Sequence, residues 1–308
     1  MPNQLYPILF MLSSTFSLSL TGLFSKYLSQ YLEPSLLSLL RFFLPMSLIL
    51  IFVLLPKIRI PERRLMKPLW LRALCIGLCQ ICFIYSLQHL SLVESVVLFS
   101  TGPMFIPLLE KLIFSVRVSW LNILGGVMTF TGVLLLAGDV SGFELRLELL
   151  IGLAAGGFNA GSQLALYRAS KTDLNAFEIN FWTFLFASIV ILPFISISAL
   201  QHTQWIAMDE MSPLILIAAL VGLAGLIINT QVFRSKAYKL AESNSQLAPL
   251  IYTNLLFTAL WQFLFFNESY QGRELLGLAL IILANVVCAF LPKWLKAMER
   301  IRVKQQVQ

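Results

Sequence analysis

The stretch TGPMFIPLLEKLIFSVRVSWLNILGGVMTFTGVLLLAG, residues 101–138, contains two apolar segments on either side of a basic residue, Arg117. A looser copy, PLIYTNLLFTALWQFLFFNESYQGRELLGLALIILANVVCAF, begins at Pro249. The two copies are offset by about 152 residues, so that Gly125 corresponds to Gly277, and a match at one fixed offset indicates an internal repeat. The chain is therefore predicted to consist of two versions of one folding unit.

The composition indicates a membrane protein. Hydrophobic residues make up 58% of the chain and charged residues only 12%, whereas soluble domains are about 25% charged. The mean hydropathy is +0.82. The net charge of +7 does not indicate nucleic-acid binding, because the basic residues lie between apolar runs instead of on one face.

Ten apolar runs are long enough to cross a bilayer as helices, which need about 20 residues. They occupy approximately residues 7–26, 34–55, 69–87, 92–114, 120–137, 149–167, 177–200, 213–233, 247–266 and 275–291. We therefore expect an all-α integral membrane protein. Residues 7–137 would form the first five-helix unit, 138–148 a polar linker, 149–292 the second unit, and 293–308 a basic cytoplasmic tail.

The distribution of lysine and arginine predicts the orientation, because loops rich in these residues stay in the cytoplasm. The densest basic segment, KIRIPERRLMKPLWLR at residues 57–72, and the basic tail fall on the same, inner side. Arg72 and Arg234 are counted on that side too. Both chain termini are then cytoplasmic. An odd number of spans per unit places the second unit upside down relative to the first, an arrangement common in transporters.

No enzyme motif is present in the sequence, which contains no GxxxxGK[ST], GxSxG or HExxH pattern. Cys75, Cys79, Cys82 and Cys288 form no CxxC pair, and no histidine cluster accompanies them. We expect neither an enzyme activity, nor a cofactor, nor a metal site. The cysteines are interpreted mainly as small packing residues.

Several segments resemble the EamA family of the drug/metabolite transporter superfamily. These are LLRFF at residues 39–43, NFWTF at 180–184, the first-span Lys26, and NESYQGRELLGLALIILAN at 267–285, within a similarity that covers about residues 9–291. The acidic residue that the family often carries after span 4 is Val116 here, while Glu268 keeps it after span 9. The resemblance implies transport of small polar metabolites, chiefly amino acids and their derivatives. Some relatives import S-adenosylmethionine.

Arg41 is the sharpest single signal, because it lies about seven residues, or roughly 10 Å, inside span 2. A charge at that depth costs at least a few kcal/mol unless it faces water or a partner. Two interpretations remain open: a cavity arginine that binds a substrate carboxylate, and a structural ion pair with Glu94.

Three acidic residues within or beside spans, Glu94, Glu110 and Glu178, are candidate proton-coupling sites or anchors for a substrate amine. The structural alternatives are an ion pair of Glu178 with Arg168 or Lys171, and snorkelling of Glu110 beside Lys111.

Uncharged polar and aromatic residues inside the spans complete the candidate substrate site. They are Gln80, Tyr85, Asn159, Gln163, Trp182, Asn229, Tyr252 and Asn254. Interhelical hydrogen bonds and packing are the alternative roles for the polar members, and packing or a place in the interfacial aromatic belt for Trp182 and Tyr252.

The sequence thus predicts a secondary transporter in a bacterial inner membrane, working by alternating access on an amino acid or an amino-acid derivative. Its partners would be the small-molecule substrate, membrane lipid and a coupling proton, with no nucleic acid, and it would act as a monomer or homodimer. A drug or quaternary-cation exporter, and a non-transporting membrane enzyme or scaffold, are the alternatives.

Overall fold

The structure, a computed structural model, describes residues 5–54, 59–102, 146–201, 212–241, 253–266 and 275–284, with single residues and short pieces within 104–135, 247–251, 272–273 and 286–287. Most of the stretch at 101–138, including span 5, lies outside the described residues. So do Glu110 and Tyr252.

All regular elements in the described part are helices, which confirms the all-α class for these residues. They are α1 (Leu5–Leu28), α2 (Pro34–Ile49, continued by a π-helical turn at Leu50–Leu54), α3 (Arg63–His89), α4 (Leu92–Phe99), α5 (Leu147–Ser170), α6 (Ala176–Gln201), α7 (Pro213–Leu240), α8 (Thr253–Phe265) and α9 (Leu275–Ala284).

Within the described residues, 6 helices are long and apolar enough to cross a membrane. They are Tyr6–Leu28, Pro34–Val53, Arg63–His89, Leu147–Ser170, Ala176–Ile197 and Pro213–Leu240. These helices coincide with predicted spans 1 to 3 and 6 to 8. Spans 4, 9 and 10 correspond to shorter apolar helices in the described part, so the chain is a multi-pass membrane protein in which fewer than ten full spans are seen.

The packing of the helices is reciprocal between the two halves of the chain. α3 packs most extensively against α5, and α1 against α7. The contact of α4 with α5 corresponds to the contact of α8 with α1. The contact of α3 with α6 corresponds to the contact of α2 with α7. If α1, α2, α3 and α4 are exchanged with α5, α6, α7 and α8 respectively, each of these helix pairs becomes its counterpart.

A lysine stabilises the end of the third helix in each half. Lys26, in the last turn of α1, donates from Nζ to the Leu90 carbonyl that follows α3, at 2.5 Å. Lys171, directly after α5, donates to the Ala241 carbonyl that follows α7, also at 2.5 Å. The last carbonyls of a helix have no intrahelical partner and carry partial negative charge, so each ammonium stabilises the end that it contacts.

Two basic residues are in different places from those the sequence predicted. α3 begins at Arg63 and α7 continues to Leu240, so both helices extend beyond their predicted inner ends. Arg72 and Arg234 therefore lie inside the bundle, with 0% and 2% of their surface exposed. A count of loop charges cannot distinguish a loop residue from one that is buried within a helix.

Close approach of α4 to α5 depends on Gly156. A Cβ atom built at this position would lie 2.7 Å from the Leu98 carbonyl oxygen and against the Thr101 hydroxyl. The neighbouring Gly157 has nothing within 4 Å of such an atom. Small residues of this kind allow membrane helices to pack backbone to backbone.

The substitution Gly156→Ala should lower the free energy of unfolding by about 1–3 kcal/mol, since an extra methyl group forces α4 and α5 apart. Gly157→Ala is the matched control. It should be neutral or stabilising by up to about 1 kcal/mol, because alanine favours the helix. Thermal unfolding of the two purified variants compares them, and equal destabilisation would contradict the proposed contact.

Candidate functional site

A narrow internal cavity lies where the two halves meet. Its polar lining comes from the first half through Thr21, Arg41 and Gln80, and from the second half through Asn159, Gln163, Thr230, Gln231 and Arg234. Its volume is about 30 Å³. That volume holds about two water molecules.

Arg41 extends from α2 to this cavity and is 4% exposed. Its Nη1 donates to the Ser25 hydroxyl on α1, while its Nε has no hydrogen-bond partner among the described residues. Glu94 is not its ion-pair partner in the structure, because that carboxylate is engaged at the start of α4. The guanidinium therefore keeps unused donor capacity beside the cavity.

Arg72 on α3 has three polar acceptors for its Nη1 and Nη2 atoms, while its Nε has no partner among the described residues. Its Nη2 donates to Asn180 Oδ1 at 2.8 Å and to Gln231 Oε1 at 3.2 Å, and its Nη1 donates to Thr183 Oγ1 at 3.1 Å. Asn180 in turn donates to the Ser235 hydroxyl. This cluster joins α3, α6 and α7 through uncharged acceptors.

Arg234 on α7 lines the cavity without such neighbours. It makes no hydrogen bond or ion pair with any described residue, and its Nε and Nη2 atoms are buried. A buried guanidinium without acceptors is costly.

A hydrogen-bonded chain closes the side of the cavity formed by α5 and α7. The Tyr238 hydroxyl donates to Gln163 Oε1 at 3.0 Å, and Gln163 Nε2 donates to Asn159 Oδ1 at 3.2 Å. Two of the predicted site residues, Gln163 and Asn159, are thus oriented by the chain, and both line the cavity.

The other described candidates lie away from the cavity lining. Tyr85 stacks on His89 at the end of α3 with ring centroids 4.4 Å apart. Trp182 donates from Nε1 to the Arg59 carbonyl at 3.0 Å, and Asn229 donates to the Ser17 hydroxyl on α1. Asn254 is buried on α8, and its Oδ1 has no partner in the described part of the chain.

The two described acidic candidates stabilise helix N-termini. Glu94 accepts from the backbone N–H of Ser91 at 2.8 Å, and the Ser91 hydroxyl accepts from the Glu94 N–H, which completes a capping box. Glu178 forms the same reciprocal pair with Asn175, and its second oxygen lies 3.8 Å from Arg59 Nε. The partner of Glu178 in the structure is Arg59 in place of the expected Arg168 or Lys171.

Arg234, Thr230 and Arg72 are among the cavity-associated residues that sequence reasoning missed. A signal for Arg234 exists in the sequence, since Gln231, Arg234, Ser235 and Tyr238 recur at i, i+3, i+4 and i+7. This spacing places polar groups along one helical face and marks an inward-facing stripe on an otherwise apolar span. No group of His, Cys, Asp and Glu suited to a metal ion occurs among the described residues.

Comparison with known proteins gives a family match over both halves of the chain. A model of the EamA-like transporter family matches residues 5–138 and again residues 147–290.

Individual relatives are distant. The pseudopaline exporter CntI of Pseudomonas aeruginosa, in two strains, is 24% identical over 245 residues, which span 77% of this chain and 80% of the exporter. A solved crystal structure with 17% sequence identity covers 94% of this chain and 95% of its own, with a TM-score of 0.55. That likeness shows a shared fold.

The capping role of Glu94 predicts how its variants behave. Glu94→Gln should leave thermal stability unchanged, because glutamine also fills this position of a capping box. Glu94→Ala should cost about 1 kcal/mol, the usual loss on removing a capping side chain. Unfolding curves of the purified variants measure both effects, and a loss of stability in Glu94→Gln equal to that in Glu94→Ala would contradict the role.

Proposed function

Because the chain belongs to the EamA-like transporter family, we propose that it is a secondary transporter that moves a small polar metabolite across a bacterial inner membrane. An amino acid or amino-acid derivative that carries a carboxylate is the cargo whose charged groups best match the polar lining of the cavity. The single observation that carries this proposal is Arg41, a buried cation with unused donor atoms beside a cavity lined by amides.

The proposed mechanism is alternating access between two inverted five-helix units, residues 7–137 and 149–292. The two ranges of the family match, 5–138 and 147–290, support this division. The reciprocal helix pairs, and the equivalent bonds of Lys26 and Lys171, support the pseudo-symmetry. Exchanging the conformations of two such units opens one cavity to either membrane face in turn.

Polar groups of the cavity match both ends of an amino acid. Arg41 supplies donors for the carboxylate. The Gln80 amide oxygen, which has no partner among the described residues, is an acceptor for the ammonium group. A guanidinium and a carboxylate form short, charge-assisted hydrogen bonds, about twice as strong as neutral ones.

The remaining parts of the proposal concern direction and orientation. Outward transport is supported by the relative that is named an exporter. Both chain ends are proposed to be cytoplasmic, on the basis of the basic segments at residues 59–67 and 293–304. Proton coupling and the monomeric or homodimeric state stay predictions, as do the substrate contacts of Tyr85, Trp182, Asn229, Tyr252 and Asn254.

Counterflow into proteoliposomes tests the proposed function. Purified protein is reconstituted with a panel of labelled amino acids, S-adenosylmethionine and cationic dyes, with and without a pH gradient. We expect exchange of a carboxylate-bearing amino acid or derivative. Exchange restricted to the dyes would contradict the proposed cargo, and no exchange of any compound by folded protein would contradict transport.

Arg41→Gln should reduce the rate of that exchange at least about 10-fold, which corresponds to about 1.4 kcal/mol of lost interaction free energy. The matched control is Arg59→Gln, since the side chain of Arg59 is 73% exposed. It should retain the wild-type rate. Wild-type flux through correctly folded Arg41→Gln protein would remove Arg41 from the site.

A further inference from the structure

The guanidinium of Arg234 is the least compensated charge in the described part of the bundle. It is 2% exposed, and neither its Nε nor its Nη2 meets an acceptor among the residues that the structure describes. Burial of an ion costs several kcal/mol unless a counter-charge and hydrogen bonds replace the lost water. The side chain lines the central cavity, so the missing acceptors can be supplied from that space.

No carboxylate in the described residues neutralises the cavity. Glu178 pairs with Arg59 at the start of α6, away from the cavity lining. Glu94 is committed to its capping box. Arg41 and Arg234 therefore bring two positive charges to one small space, and no carboxylate from the described residues lines it.

The contrast with Arg72 shows that Arg234 is not simply another structural arginine. Arg72 is equally buried, and its Nε also lacks a described partner, but its Nη1 and Nη2 donate to Thr183, Asn180 and Gln231. Its bond to Gln231 also occupies that amide oxygen, so the nitrogen of Gln231 is the end that can donate to a ligand in the cavity. Arg72 thus positions Gln231, whereas Arg234 positions no other described side chain by a hydrogen bond.

Arg41 and Arg234 belong to different halves and enter the cavity from opposite ends of their helices. Arg41 lies about 10 Å from the first residue of α2, and Arg234 about 9 Å from the last residue of α7. In the proposed topology these two helix ends face opposite sides of the membrane. One ligand that contacts both side chains would connect the two halves.

We infer that Arg41 and Arg234 bind two separate acid groups of one substrate, so that the cargo is an amino-acid derivative with at least two carboxylates. The inference rests on the proposed function and narrows its substrate class. Gln80 Oε1 and Thr230 Oγ1 line the same cavity without partners in the described part of the chain, and both can accept from the ammonium group.

Ligand-induced thermal stabilisation of the purified protein in detergent tests the inference without depending on flux. The probes are aspartate, glutamate and 2-aminoadipate, each compared with the compound in which the side-chain acid is an amide. Stabilisation by at least one of the three acids, with at least about tenfold weaker apparent affinity for its amide, is the expected result. No stabilisation by any acid, or equal affinity for acid and amide, overturns the inference.

Two arginine variants separate a ligand-binding role from a structural one. Arg234→Met should leave the melting temperature without ligand unchanged or raise it, because an uncompensated charge is removed, and should abolish the preference for the acid over the amide. Arg72→Met should lower the melting temperature, because three hydrogen bonds are lost. Equal destabilisation by both variants would assign Arg234 a structural role and overturn the inference.

Arg234→Lys provides a second test that keeps the charge in place. We expect it to fold and to bind the favoured acid at least about tenfold more weakly, because lysine cannot present the two parallel donors of a guanidinium. Wild-type affinity in this variant would overturn the inference. The proteoliposome assay distinguishes failure of the proposed function from failure of this inference. Binding of a two-acid compound without exchange would contradict transport but not the two-acid site. Exchange of one-acid compounds, with no preference for a second acid, would contradict the two-acid cargo but not transport.

Discussion

A guanidinium ion inside a membrane protein must have either acceptors from the chain or access to a polar ligand, and this constraint organises the centre of the molecule. Arg41, Arg72 and Arg234 are 4%, 0% and 2% exposed. Among the described residues, Arg72 has three uncharged acceptors, Arg41 has only the Ser25 hydroxyl, and Arg234 has none. The guanidinium group therefore has a structural role at Arg72 and is a candidate binding group at Arg41 and Arg234.

The scaffold around this centre is repeated in each half. Lys26 holds the end of α3, and Lys171 holds the end of α7, with the same type of bond. Gly156 lets α4 approach α5 closely. The two lysine contacts connect helices within one half, whereas the Gly156 contact connects the two halves.

Much of the fold was predictable from the sequence, because apolar runs of about 20 residues have few alternatives to a membrane helix. Six predicted spans correspond to helices long enough to cross, and the predicted cavity residues Arg41, Gln80, Asn159 and Gln163 line one space. Arg234 was missed because it lies near the end of α7, where counting basic residues places it in a loop. Glu94 and Glu178 were given coupling roles as alternatives, whereas their reciprocal bonds to Ser91 and Asn175 depend on local helix-start geometry.

Access of Cys79 from the two membrane faces tests alternating access most directly, since this residue lines the cavity. Cys75, Cys82 and Cys288 are replaced by serine, and the remaining thiol is exposed to a membrane-impermeant alkylating reagent in right-side-out and inside-out vesicles. Alternating access predicts labelling from both faces, and slower labelling when transported substrate is present. Labelling from one face only under every condition, in protein that labels fully once denatured, would contradict it.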